Sequence, residues 1–275
     1  MTAIQDQVIL VTGATDGIGK QTAYDLALRG AIVLLHGRDR QRLEATQQEI
    51  CFATKNKRLE CYLADFSSLA QVRRLAEEVK ANHDRLDILI NNAGIGAGNA
   101  TNKQRVLSQD GYELRFAVNY LASFLLVNLL LPCLHRAASA RIVNVSSVGQ
   151  HPIDFDNLML EQGYNSMQAY CQSKLALVMF TFELAESLKG DRITVNCLHP
   201  GSRLNTKMVR EMFGQPQGSV KLGAEAIIYL ATFSDLESVS GKYFDQQQEA
   251  NAIAQAYDCQ ARQRLWQLSK LFCNL

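Results

Sequence analysis

The sequence lacks the cysteine and histidine patterns that mark disulfide-rich or metal-binding proteins. Its seven cysteines are scattered, and no two of them have a Cys-x-x-Cys spacing. They are therefore expected to be reduced thiols of a cytoplasmic protein. The five histidines are also dispersed, so no metal site is expected. The formal net charge is only +1, which gives no field to attract nucleic acid or an anionic membrane.

The sequence also lacks a long uninterrupted apolar run. The longest apolar stretch, Phe116 to Leu134, contains Asn119, Ser123 and Asn128 and is closed by Pro132. A buried helix explains this stretch better than a membrane span. The first predicted strand begins so close to the N-terminus that no room remains for a signal peptide. We therefore expect no integral membrane span, while peripheral association with a membrane stays open.

Short apolar segments alternate with longer amphipathic ones along the chain. The apolar segments predict strands at Val8–Thr12, Ile32–His36, Leu59–Ala64, Asp87–Asn91, Arg141–Ser146, Arg192–Leu198 and, as a short seventh, Lys242–Phe244. Helices are predicted at Arg40–Thr54, Leu69–Asn82, Asp110–Leu131, Met167–Leu188 and Gly223–Ser234, with an amphipathic C-terminal helix at about residues 261–272. Apolar strands joined by helices are typical of a parallel sheet covered on both faces. We predict an α/β protein with one doubly wound Rossmann domain over residues 1–275, built on a parallel sheet of six to seven strands.

A glycine-rich turn separates the first predicted strand from the helical stretch Gln21 to Arg29. The turn reads Thr12-Gly13-Ala14-Thr15-Asp16-Gly17-Ile18-Gly19. Strand, glycine turn and helix together bind the pyrophosphate of a dinucleotide, because backbone N–H groups and the helix N-terminus both attract phosphate. The alternative is an ordinary glycine-rich turn. The candidate cofactor-binding residues in this turn are Gly13, Thr15, Asp16, Gly17, Ile18 and Gly19.

Two further residues, Tyr170 and Lys174, lie four positions apart on a predicted helix and so share one helix face. A free tyrosine has a pKa of about 10, too high for an efficient base at neutral pH. A nearby ammonium group stabilises the phenolate and lowers that pKa. The pair alone is weak support for an acid/base site, because a surface helix pair has the same spacing.

Polar motifs also follow three other predicted strands: Asn91-Asn92-Ala93-Gly94, Ser146-Ser147 and His199-Pro200-Gly201. In this order, with the glycine turn and Tyr170-x-x-x-Lys174, they resemble the classical branch of the short-chain dehydrogenase/reductase family from Val8 to about Phe244. The resemblance implies that Tyr170 is the catalytic acid/base, that Lys174 lowers its pKa and binds the nicotinamide ribose, and that Ser147 binds the substrate oxygen.

The same resemblance implies roles for residues outside the tyrosine–lysine pair. Asn119 would hold a water molecule near Lys174 and complete a proton relay. Asn91, Ala93 and Gly94 would line the adenosine side, and Asp65 would meet the adenine. The residues that would approach the nicotinamide are Pro200, Gly201 and Thr206.

For several of these residues the sequence leaves an alternative to the functional role open. Ser146 competes with its neighbour Ser147 for the substrate oxygen. Asn119 can be a polar residue satisfied inside a buried helix. Asp65 can simply begin the next helix.

The cofactor preference is predicted from the segment His36-Gly37-Arg38-Asp39, at the end of the second predicted strand. NAD-dependent enzymes usually place an acidic residue there to bind the ribose 2′-OH. Here Gly37 occupies that position, and Arg38 can clamp a phosphate with paired hydrogen bonds. NADP(H) is therefore expected rather than NAD(H). In the alternative, Arg38 only begins a solvated helix and Asp39 turns inward to the ribose.

The substrate is expected to meet two variable loops, at about residues 149–166 and 203–219. The second contains Met208 and Met212 among other apolar residues, which predicts a flexible apolar lid and an apolar carbonyl or alcohol substrate. The sequences around Ser147, Tyr170 and Trp266 resemble the retinol dehydrogenase-like members most closely. Many of those enzymes have an N-terminal membrane anchor, which is not expected for this chain, so a broad carbonyl reductase in the cytoplasm is the expectation.

Two other functions are compatible with the sequence. A non-catalytic NADP(H)-binding regulator can share the fold, although such proteins usually lose the tyrosine or the lysine. A light-dependent tetrapyrrole reductase uses a similar tyrosine and lysine. The family resemblance also implies a possible homodimer or homotetramer formed through the long helices that contain Asn119 and Tyr170.

Overall fold

An eight-stranded sheet forms the centre of the protein in the computed structural model, which describes residues 3–98 and 104–275. The spatial order of the strands is β3-β2-β1-β4-β5-β6-β7-β8. Strands β1 to β7 are parallel, and β8 is antiparallel to β7. The strands are β1 (Val8–Val11), β2 (Ile32–Gly37), β3 (Leu59–Leu63), β4 (Ile88–Asn91), β5 (Ala140–Val145), β6 (Ile193–His199), β7 (Tyr243–Asp245) and β8 (Gln248–Ala250).

Helices cover both faces of the sheet. The helices are α1 (Gly17–Leu28), α2 (Arg40–Thr54), α3 (Leu69–Asn82), α4 (Leu114–Phe116), α5 (Ala122–His135), α6 (Ser166–Ser187), α7 (Lys207–Phe213), α8 (Val220–Thr232) and α9 (Cys259–Phe272). One core cluster joins the sheet to α3, α5 and α6, with Leu75, Leu125 and Phe180 among its buried members. The other joins it to α1, α2 and α8, with Leu26 and Ile227 among its members. The predicted doubly wound α/β fold is confirmed.

The strand register brings the carboxyl ends of the central strands to one level. Val11 of β1 lies opposite Leu35 of β2 and Ile90 of β4. Asn144 of β5 lies opposite Asn91 of β4. The segments that leave these strands therefore meet at one edge of the sheet, where ligands bind in open α/β folds.

The sheet is larger than the predicted six to seven strands. The additional strand is β8, the polar sequence Gln-Glu-Ala at residues 248–250, which lies at the edge and is mostly exposed. It lacks the apolar run on which strand prediction depends. The helix predicted from Asp110 begins instead at Leu114, because a turn at Gly111 (φ +85°) and a bridge between Leu107 and Glu113 precede it.

Within the described ranges, one helical stretch, Leu114–His135, is long and apolar enough to cross a membrane. It consists of α4, a π-helical segment (Ala117–Leu121) and α5. However, 78% of its most apolar window is buried inside the protein. A core helix has this composition, so the stretch is weak support for a membrane span.

The C-terminal helix α9 covers the two long helices α5 and α6. Trp266 packs against Phe124 and Phe180, with ring centroids 5.2 and 5.8 Å apart. The Tyr120 hydroxyl is hydrogen-bonded to Ser269 Oγ at 2.6 Å. The apolar character of α5 is thus explained by burial within one chain, and a homodimer or homotetramer through these helices stays a proposal.

Candidate active site

A cleft of about 480 Å³ lies at the carboxyl edge of the sheet. The segments that follow β1 to β6 line it. A larger cavity of about 780 Å³ opens near the amino ends of β5 and β6, where Arg141 and Arg192 line it. That second cavity contains none of the candidate residues named above, so the cleft at the carboxyl edge is the candidate active site.

The glycine turn after β1 forms one wall of this cleft. Gly13 has a φ of +68°, a conformation that glycine adopts without strain. A Cβ atom on Gly19 would collide with the carbonyl oxygen of Gly13, so only glycine allows the turn to lie against helix α1. Asp16 caps that helix by accepting a hydrogen bond from the Gly17 N–H at 2.7 Å. The result is a backbone cradle at a helix N-terminus, which fits the pyrophosphate of a dinucleotide.

Tyr170 and Lys174 face the cleft from helix α6. Lys174 Nζ lies 6.0 Å from the centre of the Tyr170 ring and donates a hydrogen bond to the Val145 carbonyl at 2.8 Å. Burial lowers the pKa of Lys174 from 10.5 to about 8. Burial raises the pKa of Tyr170, and a hydrogen bond with Ser147 opposes that rise. Lys174 is buried and Tyr170 is half-buried, and the two side chains form a candidate acid/base pair beside Ser147.

The structure distinguishes the two neighbouring serines. Ser146 Oγ donates to the backbone carbonyl of Lys174 at 2.8 Å and so ties β5 to α6. Ser147 Oγ accepts from the Gly149 N–H at 3.0 Å and contacts Tyr170. The geometry therefore favours Ser147 as the group that meets a substrate oxygen.

The adenosine side of the cleft contains two arginines and no carboxylate at the end of β2. A Cβ atom on Gly37 would stand 2.6 Å from Thr15 Cγ2, so a larger residue there would have to displace the Thr15 side chain. Arg38 and Arg42 both line the cleft. Asp39 instead caps α2 by accepting from the Arg42 N–H at 3.0 Å. The alternative in which Asp39 binds the ribose is thus not favoured by the geometry.

Comparisons with known proteins agree with this geometry. The short chain dehydrogenase family model matches residues 7–217. Retinol dehydrogenase 13 of Mus musculus is 40% identical over 96% of this chain and 82% of its own length. The chain belongs to the short chain dehydrogenase family. It is thus an oxidoreductase, and the family resemblance seen in the sequence is confirmed.

Two solved structures are similar to this one. An uncharacterized protein from Mycobacterium Paratuberculosis has a TM-score of 0.81 and 30% identity, covering 98% of this chain and 94% of its own. A short chain dehydrogenase from Shigella flexneri 2a str. 301, complexed with NADP, has a TM-score of 0.71 and 28% identity, covering 88% of this chain and 97% of its own. The glycine cradle of the present chain fits a cofactor of that class.

Asn119 of this short chain dehydrogenase lies fully buried in the π-helical segment. Its Oδ1 accepts from the Ile95 N–H at 2.7 Å, and its Nδ2 donates to the Ile95 carbonyl at 3.0 Å and to Ser173 Oγ at 2.9 Å. The side chain thus anchors the loop after β4 to α6. Its part in a proton relay stays a prediction.

Arg115, which the sequence analysis did not single out, supports the same loop. It is only 6% exposed. Its guanidinium donates to the carbonyls of Gly96 at 3.0 Å and Ala97 at 2.8 Å, and to the Tyr164 hydroxyl at 2.7 Å. Its charge is balanced by Glu113, whose Oε1 lies 3.3 Å away. Arg115 thus holds the wall of the cleft after β4, and a lone arginine beside an apolar run was its only signal in the sequence.

His36 is a second buried residue to which the sequence motifs gave no role. Its Nδ1 accepts from the Gly13 N–H at 3.2 Å, and its Nε2 donates to the Ala64 carbonyl at 2.9 Å. Burial lowers its pKa to about 4, so the imidazole is neutral at physiological pH. The ring stacks on Phe66 at 4.3 Å. His36 therefore fixes the glycine turn relative to β2 and β3.

Most of the remaining predicted residues lie where the sequence placed them. The cleft is lined by Thr15, Ile18, Asp65, Ala93, Gly94, Pro200, Gly201 and Thr206. Asn91 is an exception, since its side chain is buried, donates to Asn144 Oδ1 at 2.8 Å and does not line the cleft. A direct contact of the Asn91 side chain with adenosine is thus not supported, because the strand directs it to β5.

The two predicted substrate loops differ in their relation to the cleft. Residues 203–219 contain α7 and supply Leu204, Met208 and Val209 to its lining. A Cβ atom on Gly96 would stand 2.7 Å from Met208 Cγ and 2.6 Å from Met212 Sδ, so α7 lies directly on the loop after β4. Residues 149–166 do not line the cleft. Ile153, Leu158 and Leu160 of this segment are buried.

Proposed function

We propose that this protein is an NADP(H)-dependent oxidoreductase that interconverts an apolar carbonyl compound and the corresponding alcohol. The observation that carries the proposal is the convergence of Tyr170, Lys174 and Ser147 beside the glycine cradle of one cleft. The catalytic tyrosine and lysine are both present, which disfavours a non-catalytic nucleotide-binding regulator.

The side chains of the cleft have distinct tasks in this reaction. A bound nicotinamide cofactor supplies a hydride to the carbonyl carbon or removes one from the alcohol. The Tyr170 hydroxyl donates its proton to the substrate oxygen during reduction and takes it back during oxidation. Ser147 Oγ hydrogen-bonds the same oxygen as negative charge develops on it. The Lys174 ammonium stabilises the phenolate of Tyr170 and would, with Tyr170, hold the nicotinamide ribose.

The electrostatics of the site explain why the lysine is needed. Burial raises the pKa of Tyr170 in the ligand-free protein, so the phenol alone would be a poor proton carrier. A buried ammonium beside it favours the charged phenolate, because opposite charges attract strongly where water is excluded. Lys174 can act in this way only while it is protonated, below its own pKa of about 8.

The preference for NADP(H) is supported by the adenosine side of the cleft. Within the described residues, Arg38 lines the cleft without a hydrogen-bonded or ion-paired partner of its own. Arg42, the second arginine there, is paired with Asp16 at 3.1 Å. Two guanidinium groups and no carboxylate at the end of β2 favour a ribose 2′-phosphate over a free hydroxyl.

We expect Arg38→Ala to weaken NADPH binding by roughly 10- to 100-fold, because a charge-assisted hydrogen bond contributes about 1.5–3 kcal/mol. NADH binding should change by less than about twofold, since NADH has no 2′-phosphate. Arg40→Ala is the matched control, because Arg40 is exposed and pairs with Glu44 away from the cleft. Dissociation constants from cofactor fluorescence would check this, and equal losses for both cofactors would contradict the assignment.

An apolar substrate is supported by apolar residues next to Ser147 and in the lining of the cleft. Val148 follows the serine directly and is 62% exposed. Ile95 and Met208 line the cleft itself. The curated relative named above is a retinol dehydrogenase, which supports an apolar aldehyde or alcohol as the substrate class.

The test of the proposed function is turnover with purified protein. Initial rates of NADPH and NADH oxidation are measured with retinal, other apolar aldehydes, apolar ketones and sugar aldehydes. We expect NADPH-dependent reduction that favours the apolar carbonyls. Turnover with the sugar aldehydes alone would contradict the substrate class, and cofactor binding without turnover on any carbonyl would favour a nucleotide-binding regulator.

A further inference from the structure

The backbone at Ser147 lies where the regular sheet has just ended. Strand β5 ends at Val145, and the Ser146 N–H still donates to the Leu198 carbonyl of β6 at 2.8 Å. The Ser147 carbonyl then accepts hydrogen bonds from side chains. A buried carbonyl at this point has to be satisfied by side chains or water.

Two side-chain donors converge on the Ser147 carbonyl. The Tyr243 hydroxyl donates to it at 3.2 Å, and Gln150 Nε2 donates to it at 3.1 Å. Gln150 is itself fixed, because its Oε1 accepts from the Ile253 N–H at 3.0 Å. The carbonyl is therefore held directly by Tyr243 of β7 and, through Gln150, by the segment that contains Ile253. Both segments are remote from Ser147 in sequence.

Tyr243 is rigidly placed for this contact. It is the first residue of β7, pairs in register with Cys197 of β6 and is only 4% exposed. Burial raises the pKa of its phenol, so the hydroxyl stays protonated and remains a donor at physiological pH. The Tyr243 side chain does not line the cleft, so it reaches the reaction only through its neighbours, and among the lining residues its hydroxyl is hydrogen-bonded to Ser147.

We propose that Tyr243 is a positioning residue that sets the Ser147 hydroxyl for the substrate oxygen. A hydrogen bond to the carbonyl of Ser147 limits rotation of the peptide that follows it, and thus fixes the direction in which the serine side chain leaves the backbone. A small displacement of a catalytic donor has a measurable effect on rate. This inference rests on the proposed function, because it assigns Tyr243 to the same reaction.

The experiment is a double-mutant cycle between Tyr243→Phe and Ser147→Ala. In the otherwise wild-type protein, Tyr243→Phe should lower kcat by roughly 3- to 10-fold, the effect of one lost hydrogen bond. In the Ser147→Ala background the same substitution should change kcat by less than about 1.5-fold, because the hydroxyl that it positions is already gone. The dissociation constant for NADPH, measured separately, should be the same for Tyr243→Phe and wild type.

Two further variants keep the test decisive. Tyr62→Phe is the matched control, since Tyr62 is 3% exposed, donates to Glu60 Oε2 at 3.0 Å and lies away from the cleft. It should leave kcat unchanged. Gln150→Leu removes the second donor and should repeat the pattern of Tyr243→Phe, which covers the case in which Tyr243→Phe does not fold.

Three results would overturn the inference. They are an unchanged kcat in both Tyr243→Phe and Gln150→Leu, an equal loss of kcat with and without the Ser147 hydroxyl, and a weakened affinity of Tyr243→Phe for NADPH. Absence of turnover in the wild-type protein would overturn the proposed function instead, and the inference about Tyr243, which rests on that function, would then be wrong as well.

Discussion

Tyr170→Phe is expected to lower kcat by about 10²- to 10⁴-fold while NADPH binding is retained. Proton transfer by a positioned side chain contributes an acceleration of that size. Phenylalanine keeps the ring that packs in helix α6 and removes only the hydroxyl that faces Ser147. The measurement is a comparison of kcat with the dissociation constant for NADPH, obtained by fluorescence on the same preparations.

The matched control for this substitution is again Tyr62→Phe, which removes a buried hydroxyl outside the cleft. It should leave kcat within about twofold of wild type. If Tyr170→Phe retained most of the wild-type turnover, the proton would have to come from another group. The assignment of Tyr170 as the acid/base would then be wrong.

Lys174→Met is expected to abolish most turnover and to make the ligand-free protein more stable at neutral pH. The loss of turnover, about 10²-fold or more, follows from loss of the charge that favours the phenolate. The gain in stability follows from burial, because Lys174 is 4% exposed. Its pKa falls from 10.5 to about 8, which corresponds to a cost of about 3 kcal/mol for the buried charge.

The pH dependence of this stability difference is the decisive observation. Between pH 8 and 10.5 the unfolded chain keeps the proton that the folded chain has lost, so wild-type stability rises with pH in this window. The amount by which the free energy of unfolding of Lys174→Met exceeds that of wild type should be largest below pH 8 and should shrink as the pH approaches 10.5. Loss of the hydrogen bond to Val145 also destabilises the variant, but mainly by an amount that does not vary with pH.

Urea unfolding of both proteins at several pH values between 7 and 10.5 would measure this difference. Lys189→Met serves as the control, because Lys189 is mostly exposed and pairs with the exposed Glu186. Its stability relative to wild type should show no comparable change with pH. A constant difference between Lys174→Met and wild type across the range would contradict a depressed pKa for Lys174.

The fold could be predicted from the sequence wherever apolar patterning was strong. The central strands are continuous apolar runs such as Val8–Val11, and their alternation with helices implies a parallel sheet. Strand β8 could not be predicted in this way, because its three residues, Gln-Glu-Ala, contain no apolar run. The start of helix α4 was missed because Gly111 closes a turn inside the stretch that was predicted to be helical.

The candidate site could be predicted in part, for reasons that differ between residues. Tyr170 and Lys174 were predictable because helical periodicity places them on one face. Ser146 and Ser147 were not distinguishable, because both follow the same strand and only the structure shows that Ser146 is bonded to α6.

Residues that act through long-range contacts were missed altogether. Arg115 reaches the loop after β4, and Tyr243 reaches Ser147 across 96 positions of sequence. His36 stood in the segment used to predict the cofactor, but its bond to Gly13 depends on how two strands pair. No local pattern in the sequence reports such contacts.

The most direct test of the account is to follow the transferred hydrogen. The protein is incubated with NADPH deuterated at nicotinamide C4, in separate samples for each of the two faces, and with an apolar aldehyde that it reduces. Mass spectrometry then locates deuterium in the product alcohol. The account predicts one deuterium at the former carbonyl carbon from one face only, and almost no product with Tyr170→Phe. Product alcohol without deuterium from either face would contradict hydride transfer in this cleft.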